Sequence, residues 1–431
     1  MTSRERVLMT LNHKEPDRIP MVDSPWSATL NRWKNEGLPS DIDINEYFNW
    51  DFAFNGADTS PRFPVRTIEK NDTFIVATTP YGGKRRNFRD YTTTPEVIDW
   101  PIKSKDDWKE IKKKLAPEFT RVDWATGLAS NNKAKEEAKF IFYGGGYGFD
   151  ILQNYMKTEE LLIAMVEEPD WIKEMIMTLA ELNLVMLEFM MKNGFAFDGT
   201  FFYNDMGYKN GPLFSPETYM KVHFQADRMV FDYCHSKNLK VFLHSCGNVK
   251  QLIPMLIEAG LDCLQPLEVK AGMDVRELKA EFGDKLCFMG GIDVRLMNLP
   301  DKSKIEEEIR SKFEVAKKGG GYIYHSDHSI PNNVSFQDFC AVMELVKKYG
   351  VYEKPPVEIE QPVEVMQVQE SVSVPEKTPG KKGLFKFLKR GKEPVQKEPE
   401  EKKQKPVEPP QTESEGTEKK NLFGFLKKGK K

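Results

Sequence analysis

The stretch Val241-Phe-Leu-His-Ser-Cys-Gly-Asn248 puts an imidazole and a thiol two residues apart, at the point where a β-branched and aromatic run stops. Side chains at i and i+2 of a strand share a face, so His244 and Cys246 present two soft metal ligands side by side. Imidazole with thiolate is a donor pair suited to zinc. A site needs a third ligand, and His328, His325, Asp327, Cys263 and Glu268 are the candidates. His328 is favoured, because His325-Ser-Asp-His328 ends the last strand-like run of the globular region. Asp205, after Phe201-Phe-Tyr-Asn, reads as a turn acid or as a carboxylate that handles a proton. Glu268 reads as a partner orienting a metal-bound histidine. Tyr203 and a turn at Gly144, Gly145 and Gly146 read as pocket lining, glycine allowing close approach of a bulky flat ligand.

These residues need a scaffold that gathers strand ends. From Phe140 onward strand-like and helix-like runs alternate. The strand candidates are 140–143, 199–203, 240–243, 262–266, 286–289 and 321–324, and helical patterns fill 157–192, 216–237, 249–259, 274–282, 303–318 and 335–349. Alternation of this kind means parallel pairing with right-handed crossovers. Six units, with room for two more before residue 140, predict a (β/α)8 TIM barrel in the α/β class. A doubly wound open sheet is the other arrangement, and its Gly-x-Gly-x-x-Gly fingerprint is missing. Each run ends in polar or Gly-rich residues, which a barrel would bring to one mouth.

The barrel is expected over residues 1–352 and a disordered tail over 353–431, rich in Pro, Glu, Gln and Lys. From Pro355 on there are 17 Lys and Arg against 13 Asp and Glu, so the tail is basic in a chain of net charge −3 and the body is mildly acidic. Nothing in the body suggests a nucleic-acid groove. The tail repeats Leu-Phe-x-Phe-Leu-Lys between basic flanks, at 381–392 and 419–430. Apolar side chains among lysines fit an interfacial anchor on an anionic membrane, strengthened by its two copies, with an acidic groove on a partner protein as the rival. The opening residues lack an apolar core, no run approaches the length of a membrane span, and the five cysteines show no small-domain framework. A cytoplasmic protein with reduced thiols is expected, touching membrane at most through its tail.

The chain resembles the uroporphyrinogen decarboxylase superfamily. The likeness rests on Thr2-Ser-Arg-Glu-Arg-Val, Glu15-Pro-Asp-Arg-Ile-Pro20, Asp205, Ser215-Pro-Glu217, His244-Ser-Cys-Gly-Asn248, Gly290-Gly-Ile-Asp293 and Asp327-His-Ser-Ile-Pro331. It implies a (β/α)8 barrel with its site at the C-terminal mouth. Decarboxylases of the superfamily carry an N-terminal Arg-Gln-Ala-Gly-Arg that grips substrate carboxylates, whereas the matching region here, 21–32, has no such pair. The other branch resembles corrinoid-dependent methyltransferases, which bind zinc through His-x-Cys and a distant Cys. His244 and Cys246 match that motif; the distant position holds His325-Ser-Asp-His328. The resemblance implies a zinc-dependent methyltransferase moving a methyl group between a corrinoid on a separate carrier protein and a small methylated donor or thiol-type acceptor. His244, Cys246 and His328 would hold zinc, Asp205 and Glu268 would orient or protonate, and Gly144, Gly145 and Tyr203 would meet the cofactor. The alternatives are decarboxylation of a tetrapyrrole, or a barrel that binds a corrinoid or tetrapyrrole without catalysis.

Overall fold

A computed structural model describes residues 1–89 and 94–352; the tail with its two repeats lies outside the described residues. In chain order the strands are β1 (Phe52–Gly56), β2 (Thr67–Lys70), β3 (Phe74–Thr78), β4 (Lys84–Phe88), β5 (Glu96–Asp99), β6 (Phe140–Gly146), β7 (Gly199–Tyr203), β8 (Gly207–Tyr208), β9 (Gly211–Pro212), β10 (Lys240–His244), β11 (Cys263–Gln265), β12 (Cys287–Met289) and β13 (Tyr322–Ile323). Seven of them form one parallel sheet in the order β1-β6-β7-β10-β11-β12-β13. The eighth stave is the extended segment at Pro20–Val22. Tyr324 N donates to Pro20 O at 2.9 Å, Val22 N donates to Tyr324 O at 3.2 Å, and Asp51 N donates to Met21 O at 3.0 Å. The segment thereby links the last strand to the first, and the sheet curls into the (β/α)8 barrel expected.

The helices follow the sequence pattern, with breaks where the backbone chemistry demands them. The run at 157–192 divides into Thr158–Glu167 and Pro169–Lys192. Proline has no N–H to donate inside a helix but fits its first turn, so Pro169 starts a second helix. The opening helix Ser3–Leu11 is fixed by a reciprocal cap between Thr2 and Glu5. An antiparallel sheet, β2 to β5, is inserted between β1 and β6.

Alternation along the strands sets what fills the barrel. Phe52 and Phe54 share a face of β1, and Phe140 and Phe142 share one of β6. Phe142 stacks on Phe52 at 5.3 Å and meets Phe242 edge-on at 4.7 Å between ring centroids. Such pairs contribute about 0.5–1.5 kcal/mol each beyond the area they bury. The same inward faces, followed toward the strand ends, become Phe54, Phe201, Tyr203 and His244.

The opposite, N-terminal end is closed by a repeated device. Asp51, Asp198 and Asp262 stand just before β1, β7 and β11. Each carboxylate accepts a backbone N–H from a neighbouring stave: Met21 on Asp51 at 2.8 Å, Ile141 on Asp198 at 3.0 Å, Val241 on Asp262 at 2.8 Å. Each also meets cations: Arg6 and Arg18 at 2.7 Å on Asp51, Arg4 at 2.6 Å on Asp198, His235 at 2.8 Å and Lys240 at 3.0 Å on Asp262. One oxygen thus ties a strand to its neighbour while the charge is neutralised locally.

Candidate metal centre

The last rung of the barrel places three side chains in register: Tyr203 on β7, His244 on β10 and Gln265 on β11 are direct cross-strand partners. Consequently the Tyr203 ring lies 5.0 Å from the His244 ring, and Gln265 Oε1 contacts His244 Nδ1. An amide oxygen can only accept, so His244 donates from Nδ1 and points Nε2 toward the mouth.

Around Nε2 stand two further metal-donor atoms. Cys246 Sγ lies 3.3 Å from Nε2, and Asp205 Oδ1 lies 3.3 Å from the same nitrogen. Among the described residues, Asp205, His244 and Cys246 form the one group of three that could hold a metal, with ligand atoms within 4.8 Å of one another. In a tetrahedral zinc site, bond lengths of 2.0–2.3 Å make ligand-to-ligand edges of about 3.3–3.8 Å. The two distances from Nε2, both 3.3 Å, fall at the short end of that range, and imidazole nitrogen, thiol sulfur and carboxylate oxygen are all zinc donors. Three protein ligands leave a fourth position for a reactant, as in catalytic rather than structural sites.

The loops are locked to deliver this geometry. Cys246 N donates to Asp205 Oδ1 at 2.8 Å, and Met206 N donates to Ser245 Oγ at 3.0 Å. Asn248 N donates to Tyr208 O at 2.8 Å. Gly207 and Gly247 pack backbone to backbone: a Cβ on Gly247, whose φ is +76°, would sit 2.4 Å from the carbonyl carbon of Gly207. Only glycine permits this approach at either position, so the Gly-Asn after Cys246 is what brings Asp205 beside the thiol.

Electrostatics reflect three electron-rich atoms gathered in one place. Burial opposes charge on His244, but Asp205 and Cys246 outweigh it and hold the imidazole pKa well above its ordinary value. Burial favours the neutral Asp205 carboxyl, yet His244 and the Cys246 N–H bring its pKa below the usual range. Burial raises the Cys246 thiol. Asp150, outside the cluster, is pushed up to about 6 by burial and by Asp205, so it can exchange a proton near neutrality.

The site opens into a cavity of about 540 Å³ lined in part by Trp26, Phe54, Phe201, Tyr203, Met289 and His328. Among the described residues, no Lys or Arg lines it, and Asp205 is its one carboxylate.

The third member of the donor cluster is Asp205 rather than the favoured His328. His328 lines the cavity but lies outside the three-donor cluster, and its Nδ1 faces Ser329 O at 3.4 Å. His325 has both nitrogens engaged: Nδ1 donates to Ser326 O at 2.7 Å, and Nε2 accepts from Ser24 Oγ at 3.1 Å. Asp327 accepts the N–H groups of Val269 and Val294, both at 3.0 Å, and so ties loops together. Cys263 is fully buried inside the sheet. Asp205, read as a proton-handling acid, takes the place beside His244 and Cys246.

Three other expectations change. Glu268 does not meet His244; it accepts from Gly247 N at 2.6 Å and pairs with Lys270 at 2.8 Å, holding the loop from behind. The residue that orients His244 is Gln265, which carried no signal in the sequence beyond ending a strand. Gly144 and Gly145 are not a turn but part of β6, and neither lines the cavity. A Cβ on Gly145 would come 2.3 Å from Asn183 Oδ1 on the helix Pro169–Lys192, so helix packing requires that glycine. Tyr203 does line the cavity.

Residues 86–349 match the family described as Uroporphyrinogen decarboxylase (URO-D). No curated protein matches the chain in sequence. Among solved structures, a methyltransferase from Methanosarcina mazei is similar at a TM-score of 0.58 and 13% identity, over 81% of this chain and 99% of that one. A putative vitamin-B12 independent methionine synthase from Listeria monocytogenes overlaps at a TM-score of 0.35 and 10% identity, over 79% of this chain and 99% of that one. At 13% identity the first likeness shows the fold alone.

Proposed function

The chain belongs to the uroporphyrinogen decarboxylase family, and on that premise we propose that it is a zinc-dependent methyltransferase, exchanging a methyl group between a corrinoid on a separate carrier protein and a small donor or thiol acceptor. The observation that carries this reading is the donor triangle of Asp205, His244 and Cys246 at the barrel mouth. Bound there, zinc would stabilise a thiolate at neutral pH or polarise a methylated donor. His244, held through Nδ1 by Gln265, offers Nε2 to the metal, and Asp205 is held ready by the Cys246 N–H. Tyr203, Phe54 and Phe201 give the mouth an aromatic wall against which a flat or apolar reactant can pack.

The cavity lining adds support. Planar arginine is the natural grip for several carboxylates, and the described lining offers neither Arg nor Lys. The test is metal content of the full chain after growth with zinc, followed by methyl transfer from methylcobalamin to a thiol. About one zinc per chain with transfer supports the proposal; a metal-replete protein without zinc sinks it.

A second reading is decarboxylation of a tetrapyrrole acid, favoured by the family match over residues 86–349. Its assay is loss of carboxyl groups from uroporphyrinogen, and it requires no metal at Cys246.

A further inference from the structure

The mouth cavity holds a second set of reactive groups, apart from the donor cluster: Ser24, Trp26, Ser27 and His325 also line it. Ser24 is exposed, whereas His325 is buried. Ser24 Oγ lies 3.1 Å from His325 Nε2, and His325 Nδ1 lies 2.7 Å from Ser326 O. A carbonyl oxygen can only accept, so Nδ1 carries a proton. Burial lowers the imidazole pKa and keeps the ring neutral. Nε2 is therefore an acceptor. Gln265 Nε2 is its more distant neighbour at 3.5 Å, and Ser24 is the closer donor. This is the contact through which a base prepares a hydroxyl for attack.

Two further features complete the arrangement. Asp23 Oδ1 lies 3.8 Å from His325 Nδ1. That is too far for a hydrogen bond, yet near enough to favour the imidazolium that proton transfer would make. Tyr324 at 2.9 Å and Ser326 at 2.5 Å donate their hydroxyls to the Asp23 carboxylate and hold it in place. The nine-residue helix Ser27–Asn35 starts in the same lining, and Trp26 gives it no side-chain cap. First-turn N–H groups have no acceptor within their own helix, and among the described residues none accepts from Ser27 or Ala28. Such N–H groups suit the oxyanion of an attacked carbonyl. A structural tie between the eighth stave and the last strand would need none of this. Val22 N to Tyr324 O and Ile330 N to Ser24 O already make that tie.

We propose that Ser24 and His325 form a nucleophile–base pair that takes the acyl group of a small neutral aryl ester admitted by the mouth. Trp26, Phe54, Phe201 and Met289 offer the aryl ring its packing. Ser24 Oγ bonds to the ester carbonyl carbon while its proton passes to His325 Nε2. The bond from that carbon to the aryl oxygen breaks, and the phenol leaves with the proton. Water, giving a proton to the same nitrogen, then releases the acid and restores Ser24.

The test is treatment of the full chain with diisopropyl fluorophosphate, read by intact mass and peptide mapping, beside release of 4-nitrophenol from 4-nitrophenyl acetate. One adduct per chain is expected, on Ser24. Ser24→Ala, an exposed change, should abolish both adduct and ester cleavage while the thermal midpoint stays. His325→Gln should slow both at least about a hundredfold, the contribution of a positioned general base. An unmodified Ser24, or adducts spread over other hydroxyls, overturns the proposal. So does ester cleavage that survives Ser24→Ala. The labelling calls for no metal, so it stands or falls separately from zinc content and methyl transfer.

Discussion

The two ends of this barrel use the same residue type for opposite purposes. At the N-terminal end Asp51 is fully buried and saturated: two arginines, Ser3 and the Met21 N–H claim its oxygens. At the C-terminal end the Asp205 side chain is 38% exposed, and its protein contacts are the Cys246 N–H and the His244 nitrogen. A saturated carboxylate stabilises; an unsaturated one, beside a thiol and an imidazole, is available for a ligand. The division agrees with the general polarity of such barrels, with chemistry at the strand C-termini and structural ties at the N-termini.

Breaking each end should therefore give different signatures. The largest effect is expected from His244→Ala or Cys246→Ala, which remove a proposed ligand: zinc is lost and transfer activity falls at least about a hundredfold, while the thermal midpoint measured on metal-free protein barely moves. Asp51→Ala is the converse. It leaves buried Arg6 with Asp17 alone and takes the carboxylate from Arg18, and denaturant unfolding should show a loss of about 3 kcal/mol, with zinc per folded chain unchanged. Should Asp51→Ala release zinc as readily as Cys246→Ala, the two ends are not separable.

Gln265→Leu sharpens the comparison from within the mouth. It removes the acceptor that fixes the His244 tautomer, so zinc affinity, read by chelator competition, should fall about 10–100-fold. The smallest effect is at the other end. The hydrogen bond that His235 donates to Asp262 raises the His235 pKa against its partial burial. A raised folded-state pKa means the pair's stabilisation is full below the unfolded value of about 6.5 and is lost as pH rises through the folded one. With His235 38% exposed, the change is under about 1 kcal/mol. The stability difference between wild type and His235→Ala, followed upward from about pH 6, should shrink with pH; a difference that stays flat would remove the charged pair from the account.

The sequence made the scaffold legible because barrel strands and helices have distinct periods, and the alternation from Phe140 on has few other solutions. His244 and Cys246 were legible because their spacing is local. The third donor was not: Asp205 is held beside Cys246 by hydrogen bonds and by the Gly207–Gly247 contact, a pairing of distant loops that no local pattern encodes. His328 stood out by residue type, yet position in the last loop places it on the cavity wall outside the cluster. Gln265 was hidden for a related reason, since cross-strand register decides its contact with His244. The glycines of β6 misled because a glycine kept clear for Asn183 reads the same, in sequence, as one kept clear for a ligand.

The eighth stave has a consequence for how the chain is made. Pro20–Val22 is synthesised some three hundred residues before its partner Tyr324. Trp33 is likewise committed to Val334 and Phe339. During synthesis this N-terminal arm has apolar surface and unpaired strand edge with nothing native to cover them, so ring closure must await the last strand. Nascent chains halted before residue 322 should therefore keep the arm open to proteases and chaperones, and release of the final helix should be the moment at which it becomes protected.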